Sequence, residues 1–382
     1  MDKRHIVVIG AGIIGLSVAS ELADTGKYTL TVIADHMPSD YNVSELSKDG
    51  YLYDYTSLWA GAHYRPFPFT SEHGRFEQEL TRITYKKFKE ISANHPESSI
   101  KFMKGIDFIE APSKAYLGQL NGYSGEYLEN FEIIPHPTRK NIKFGAQYDT
   151  WSLNSPMLLK FLHQKLLKQN VKFVKLHIRS LSQTMEQYES NENFVGIIDC
   201  SGRGIQMTPI GSSNTDPNCY PIRGQTLMLK SSKLKNTSYY NKTITYQTVN
   251  PKNSSETDWT FIIPRPPLSD GVFILGGTKQ ERQESPITPR SEDREVLLGR
   301  AKKFFPEIFD SDVPQYEILK NVVGFRPARV GGFKLEKQWY PRAGGKFIIC
   351  SYGAGGMGYE LSFGAASKVL KLVESQENFA KL

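Results

Sequence analysis

The stretch "HIVVIGAGIIGLSVASEL", residues 5–22, decides how the rest of the chain is read. An apolar run enters three glycines, Gly10, Gly12 and Gly15, spaced as G-x-G-x-x-G. The apolar pattern then turns helical, with Ile13, Leu16, Ala19, Ser20 and Ala23 on one face. The pattern predicts a buried strand over 5–10 and a helix over 13–23. "YTLTVIAD" (28–35) predicts a second strand that ends in an acid, Asp35, twenty residues beyond Gly15. Strand, helix and strand form a βαβ unit. In such a unit the first glycine permits a tight turn, the second lets backbone approach a pyrophosphate, and the third lets helix and strand pack closely. The helix start presents unpaired N–H groups and partial positive charge to phosphates. An acid at the position of Asp35 suits a ribose hydroxyl. The motif therefore predicts dinucleotide binding, with NAD and FAD both open at this point.

Two more apolar strands run into glycine, "GIIDCSG" (196–202) and "KFIICSYGAGG" (346–356), and a helix is expected over 358–373. Strands at the start, middle and end of the chain that share one sheet make the nucleotide domain discontinuous. Between them, "IRGQTLMLK" (222–230), "WTFIIPRP" (259–266) and "GVFILGGT" (271–278) are short β runs broken by Pro and Gly, as in an antiparallel sheet. The expected fold is α/β. A discontinuous Rossmann-type domain (1–80, 150–215 and 320–382) carries an α+β substrate domain with a mostly antiparallel sheet (81–149 and 216–319). Residues 231–258 are polar and weakly periodic, and are expected to form a lid.

The chain has 382 residues, 39% of them hydrophobic and 23% charged, which is enough for a well-buried core. The net charge of +7 comes from Lys and Arg spread along the chain, so a solvated basic surface is expected rather than a nucleic-acid site. The longest apolar runs are too short and too glycine-rich for a membrane span, and the early Gly10 leaves no room for a secretory leader. Three scattered cysteines, Cys200, Cys219 and Cys350, argue against a disulfide framework, and no metal-ligand spacing occurs among Cys and His, so no metal is expected.

"YGAGGMGYELSFGAA" (352–366) is a second glycine-rich turn at a helix start. A discontinuous domain with such a C-terminal turn suits a long, buried flavin dinucleotide, with the helix dipole beside the pyrimidine carbonyls. Together with "LWAGAHYRPF" (58–67), "IRGQT" (222–226), "FIIPRP" (261–266), "LGGT" (275–278) and "VGFRPAR" (323–329), the chain resembles the D-amino acid oxidase family in its fungal branch, which includes the D-aspartate oxidases. The resemblance spans nearly the whole chain. It implies FAD, oxidation of a D-amino acid to an imino acid that hydrolyses to a 2-oxo acid and ammonia, and reoxidation by dioxygen to hydrogen peroxide. A same-fold dehydrogenase with another electron acceptor and a non-catalytic or NAD-binding Rossmann protein are the competing classes.

By the same resemblance Arg326 binds the substrate α-carboxylate, and Trp59, Ala60 and Gly61 lie against the flavin. A guanidinium fork grips a carboxylate through two charge-assisted bonds and so aims the α-hydrogen. The candidate cofactor-binding set is Gly10, Gly12, Ile13, Ile14, Gly15, Asp35, Ser57, Trp59, Ala60, Gly61, Val174, Ser201, Gly202, Arg326, Gly355, Gly356, Gly358, Tyr359 and Glu360. Glu360 either approaches the substrate amine or caps its helix. Where the family usually has a Tyr before Ile-Ile-Pro, this chain has Phe261, so one hydroxyl is missing; Tyr239, Tyr240 or Tyr246 of the expected lid is a candidate to replace it. Lys279 follows Gly-Gly-Thr, where a basic residue resembles the D-aspartate oxidases. With His63 and Arg65 it is expected to build a basic pocket for an acidic side chain, D-aspartate above D-glutamate. Oxidases of neutral D-amino acids are the alternative.

The chain ends Ala380-Lys381-Leu382, a variant of the Ser-Lys-Leu peroxisomal address. A peroxide-forming oxidase belongs beside catalase, so a peroxisomal import receptor is an expected partner. The sequence leaves oligomeric state open, a homodimer included.

Overall fold

A computed structural model describes residues 3–40, 54–135, 137, 139–210, 213–251, 253–311, 313–340 and 345–375. The Ala380-Lys381-Leu382 tail lies outside them. Two large sheets organise the molecule. The first has six strands in the order Lys334–Trp339, Phe347–Tyr352, Phe194–Asp199, Arg4–Ile9, Tyr28–Ala34 and Lys172–Lys175. All neighbours are parallel except the first pair. The start, middle and end of the chain therefore meet in one sheet. Its central strands are buried along nearly their whole length and mostly apolar, because both faces are covered. Helices Ile13–Asp24 and Gly358–Glu374 contribute to the main core, while Ile178, Leu181 and Met185 pack with Val7, Ile9 and Ile33 in a separate cluster.

Helix Gly358–Glu374 packs against both Ile13–Asp24 and Glu72–Asn94. Gly364 makes the second contact possible: a Cβ there would stand 2.1 Å from the carbonyl oxygen of Leu80. Its N–H donates to Thr84 Oγ1 at 2.9 Å.

The second sheet has nine strands and is mostly antiparallel. Cys219–Lys230 pairs with Glu317–Arg329, Val272–Gly276 and Gln280–Glu281. From Val272–Gly276 the sheet continues through Thr257–Pro264, Lys242–Val249, Lys101–Ile109 and Phe144–Ser152 to Glu132–Ile133.

This sheet corrects the expectation of a lid over 231–258. Lys242–Val249 lies inside the sheet, antiparallel to Thr257–Pro264 and parallel to Lys101–Ile109. Leu234, Tyr239, Ile244 and Tyr246 belong to its core. The signal was hidden because Thr243 and Thr245, buried at 2% exposure each, read as polar in sequence although β-branched threonine suits a strand. The expected boundaries at 80, 149 and 319 also fall inside elements. Glu72–Asn94, Phe144–Ser152 and Glu317–Arg329 each cross one, and the last, with Arg326, is bonded into the second sheet.

Candidate active site

A cavity of about 1000 Å³ lies between the two sheets. Its first wall is the glycine turn. Gly10 has φ +102, and a Cβ there would stand 2.4 Å from the Cys200 carbonyl oxygen. A Cβ on Gly15 would stand 1.9 Å from the carbonyl oxygen of Gly10, so that contact tolerates hydrogen alone. Gly12 begins the helix Ile13–Asp24 without a side chain to cap it, and no acid occupies the first turn. The N–H of Ile13 donates to Ser57 Oγ at 3.0 Å. The helix start thus opens into the cavity with no acid in its own first turn to offset its partial positive charge, as an anion-binding end requires.

Asp35 stands on the same wall, its Oδ2 2.8 Å from His177 Nδ1. Two further segments line the cavity, Ser201–Gly202 and Gly353–Glu360. The second is tied to the Arg326 strand, since Gly355 N–H donates to the Pro327 carbonyl at 2.8 Å. Tyr359 Oη donates to the Ser57 carbonyl at 2.8 Å, which joins the terminal turn to the Trp59 segment.

The opposite wall is the second sheet. Residues alternate along a strand, and Ile222, Gly224 and Thr226 face the cavity beside Arg326. The Arg326 guanidinium lies over Gly224, and its Nη1 donates to the Thr278 carbonyl at 3.4 Å. No carboxylate among the described residues forms an ion pair with it. Burial lowers its pKa. The Phe261 ring lies on Gly276, where a Cβ would stand 2.2 Å from Cζ. The His63 ring faces Phe261 at 6.1 Å between centroids.

The structure brings together Gly10, Gly12, Ile13, Ile14, Asp35, Ser57, Trp59, Ala60, Gly61, His63, Ser201, Gly202, Phe261, Lys279, Arg326 and the 355–360 turn on one cavity. Gly15 sits behind the turn as a packing residue. Val174 does not line the cavity. It pairs with Ile33 on the edge strand and packs into the cluster behind the sheet. The chain enters the cavity wall only after that strand, at Leu176, His177 and Ile178.

The basic pocket needs correction. Burial, and secondarily Arg65, pushes the His63 pKa down to about 3, so the imidazole is neutral. Arg65 also lines the cavity but is 6% exposed and partly engaged: its Nε donates to Asp107 Oδ1 at 2.9 Å and its guanidinium stacks 4.2 Å over Trp259, while its Nη2 has no hydrogen-bond partner among the described residues. Asp107 in turn accepts from Tyr123 and Tyr148 hydroxyls, both at 3.1 Å. Lys279 is exposed and pairs with Glu281 at 2.7 Å. The candidate tyrosines do not supply the hydroxyl missing at Phe261. Tyr246 stacks on Phe304 at 4.4 Å, and Tyr239 and Tyr240 pack in the same cluster. Glu360 does not cap its own helix start, where no side-chain cap bond occurs. Burial raises its carboxyl to about 8, against the backbone N–H and charge of Arg65. Sequence reasoning missed His177, Thr278 and the role of Gly224. Only the last two stood in quoted motifs, and nothing local marked them.

The family model described as "FAD dependent oxidoreductase" (DAO) matches residues 5–372. A D-aspartate oxidase of Talaromyces thermophilus is 32% identical over 98% of this chain and 96% of that protein. A D-amino-acid oxidase of Schizosaccharomyces pombe is 30% identical over 95% of this chain and 94% of its own. Among solved structures, the fold is similar to glycine oxidase from Bacillus cereus, with TM-score 0.67 and 15% identity over 98% of this chain and 96% of that one. It is also similar to the FAD-bound L-alpha-glycerophosphate oxidase from Mycoplasma pneumoniae, with TM-score 0.66 and 15% identity over 98% and 95%. The cavity between two sheets, the uncapped helix start on one wall and the match over nearly all of the sequence agree: the chain belongs to the DAO family of FAD dependent oxidoreductases.

Proposed function

We propose that this protein is an FAD-dependent oxidase of D-amino acids, with acidic substrates favoured. The observation that carries the reading is Arg326, a guanidinium on the cavity wall with one long hydrogen bond and no carboxylate partner among the described residues. A half-buried cation left this way suits an anionic ligand, because withdrawing it from water unpaired is costly. An α-carboxylate fits the fork with two charge-assisted bonds. Bound FAD supplies the two-electron acceptor for the substrate α-hydrogen.

The residues that would hold the cofactor are the Gly10–Gly12 turn and the helix start at Ile13 and Ile14 for the pyrophosphate, with Ser57 fixing the Ile13 N–H. Asp35, oriented by His177, suits the ribose. Trp59, Ala60, Gly61 and the 355–360 turn surround the remaining space. In this reading Arg326 orients the substrate, and Phe261, Ile263 and Trp259 keep water from its apolar side.

The preference for acidic substrates draws on the D-aspartate oxidase named above and on Lys279. With His63 neutral and Arg65 held by Asp107, Lys279 is the cation of the expected pocket that remains able to move. Its exposed bond to Glu281 is worth about 0–1 kcal/mol, so a substrate carboxylate competes for it. A panel of D-amino acids, scored for peroxide and 2-oxo acid together, tests the proposal. Oxo acid without equivalent peroxide would assign a dehydrogenase that uses another acceptor. D-Ala turned over faster than D-Asp would assign a neutral-substrate oxidase. The Ala-Lys-Leu end supports import into peroxisomes through a receptor for that address. Deleting it should leave a fluorescent fusion in the cytosol, and unchanged peroxisomal location would refute the assignment.

A further inference from the structure

We propose that Gly224 is a positioning residue for Arg326, its missing side chain forming the seat on which the substrate-binding guanidinium rests. The inference rests on the reading of Arg326 given above. Gly224 sits on Cys219–Lys230 directly opposite Gly324, and Ile222 lies opposite Arg326, so the arginine side chain folds back across its neighbouring strand. A Cβ at position 224 would stand 2.4 Å from Nη1, 2.6 Å from Nη2 and 2.7 Å from Cζ of Arg326. The planar group therefore lies flat on this backbone, with all three atoms inside contact distance of any side chain. Gly224 has no left-handed backbone angle, so its identity is not required by the turn of the chain.

Two neighbours complete the seat. Thr278 presents its carbonyl to Nη1, and Thr278 is itself locked to the same strand: Gln225 N–H donates to Thr278 Oγ1 at 2.8 Å, and Thr278 N–H donates to the Gln225 carbonyl at 3.1 Å. The seat is thus Gly224 beneath and Thr278 at one edge, leaving the remaining donors for the cavity.

The physics separates fold from function. The colliding atoms are the end of a flexible side chain, so a methyl group at 224 displaces them cheaply. To bring the closest contact to an ordinary 3.4 Å the guanidinium must withdraw by about 1 Å. A misplacement of about 1 Å at a positioned group costs on the order of 10²-fold. A merely structural glycine would instead lower stability and leave carboxylate affinity alone.

The test uses the holoenzyme and benzoate, a flat monocarboxylate without an amine, titrated by its perturbation of flavin absorbance. Gly224→Ala should weaken benzoate roughly 10- to 100-fold and raise KM for the D-amino acid, with the unliganded flavin spectrum and melting temperature held. Arg326→Met should weaken benzoate as much, and adding Gly224→Ala to it should change nothing more. If Arg326→Met weakens benzoate and Gly224→Ala does not, this inference is overturned and the proposed function stands. If Arg326→Met leaves benzoate binding intact, the carboxylate reading of the site fails first. If Gly224→Ala does not fold, recovery of folding in the Arg326→Met background supports the clash with the guanidinium, and failure in both backgrounds overturns it.

Discussion

Two arginines sit on the same pair of strands and face opposite ways. Arg223, opposite Phe325, turns from the cavity and is fully buried. Its Nε donates to the Pro286 carbonyl at 2.9 Å, its Nη1 to Gln280 at 2.7 Å and Asp293 at 3.0 Å, and its Nη2 to Gln225 at 3.3 Å and the Thr288 carbonyl at 3.0 Å. Arg326, one pleat away, makes a single bond of 3.4 Å. A guanidinium has five N–H donors. The face where all are occupied is scaffold, pinning the 280–293 segment that carries the cavity rim. The face where they stand nearly empty is built for something that arrives later. Occupancy, not residue type, separates the two: the satisfied arginine is fully buried and the unsatisfied one half-buried at the cavity.

Substitutions can break that contrast. The largest effect is expected from Arg326→Met. Two charge-assisted bonds of about 1.5–3 kcal/mol each predict a loss of roughly 10² to 10⁴ in kcat/KM for any D-amino acid, measured by peroxide release. The melting temperature should hold or rise, because a partly desolvated charge without an ion-pair partner among the described residues is removed. A drop in stability with activity kept would invert the comparison.

Arg223→Met should do the reverse. Asp293, with a side chain 15% exposed, loses its partner, and a broken buried pair costs about 3–5 kcal/mol in denaturant unfolding. Turnover per bound flavin should stay within a few-fold of the parent.

A smaller effect concerns pH. The Glu360 carboxyl is raised from 4.5 to about 8 by burial, so the folded chain keeps a proton that the unfolded chain releases. Its contribution to stability is complete below pH 4.5 and lost as pH rises through 8. Glu360→Gln should flatten the decline of melting temperature over that window in flavin-free protein. His63 runs the other way: its pKa falls from 6.5 to about 3, so its contribution is present above 6.5 and lost as pH falls toward 3. His63→Asn should soften the acid limb, and an unchanged limb would place its cause elsewhere.

The smallest effect is expected from Lys279→Ala. An exposed cation worth up to about 1 kcal/mol predicts roughly a fivefold fall in the D-Asp to D-Ala ratio of kcat/KM. An unchanged ratio removes Lys279 from substrate choice.

The glycine turn was legible because its meaning is local. Gly10, Gly12 and Gly15 fix one turn, and Asp35 ends the next strand of the same βαβ unit. The terminal turn and Arg326 were legible through a family pattern that spans the chain. What stayed hidden depends on long-range pairing. Arg65 is claimed by Asp107, 42 positions away, which no spacing rule anticipates. Lys279 is the local exception, paired with Glu281 two positions on. Val174 misses the cavity because the chain reaches that wall only past the end of its strand, at Leu176, His177 and Ile178. The lid disappeared into the sheet because threonines that look solvated in sequence are strand residues once both faces are covered.

The chain's last described stretch has a consequence for biogenesis. Phe347–Tyr352 enters the first sheet between Phe194–Asp199 and Lys334–Trp339, Gly353–Glu360 closes one side of the cavity, and the following helix clasps segments made at the very beginning. Stretches drawn from both extremes of the sequence must therefore meet before the cavity has all its walls, and a variant lacking residues 347–374 should purify colourless.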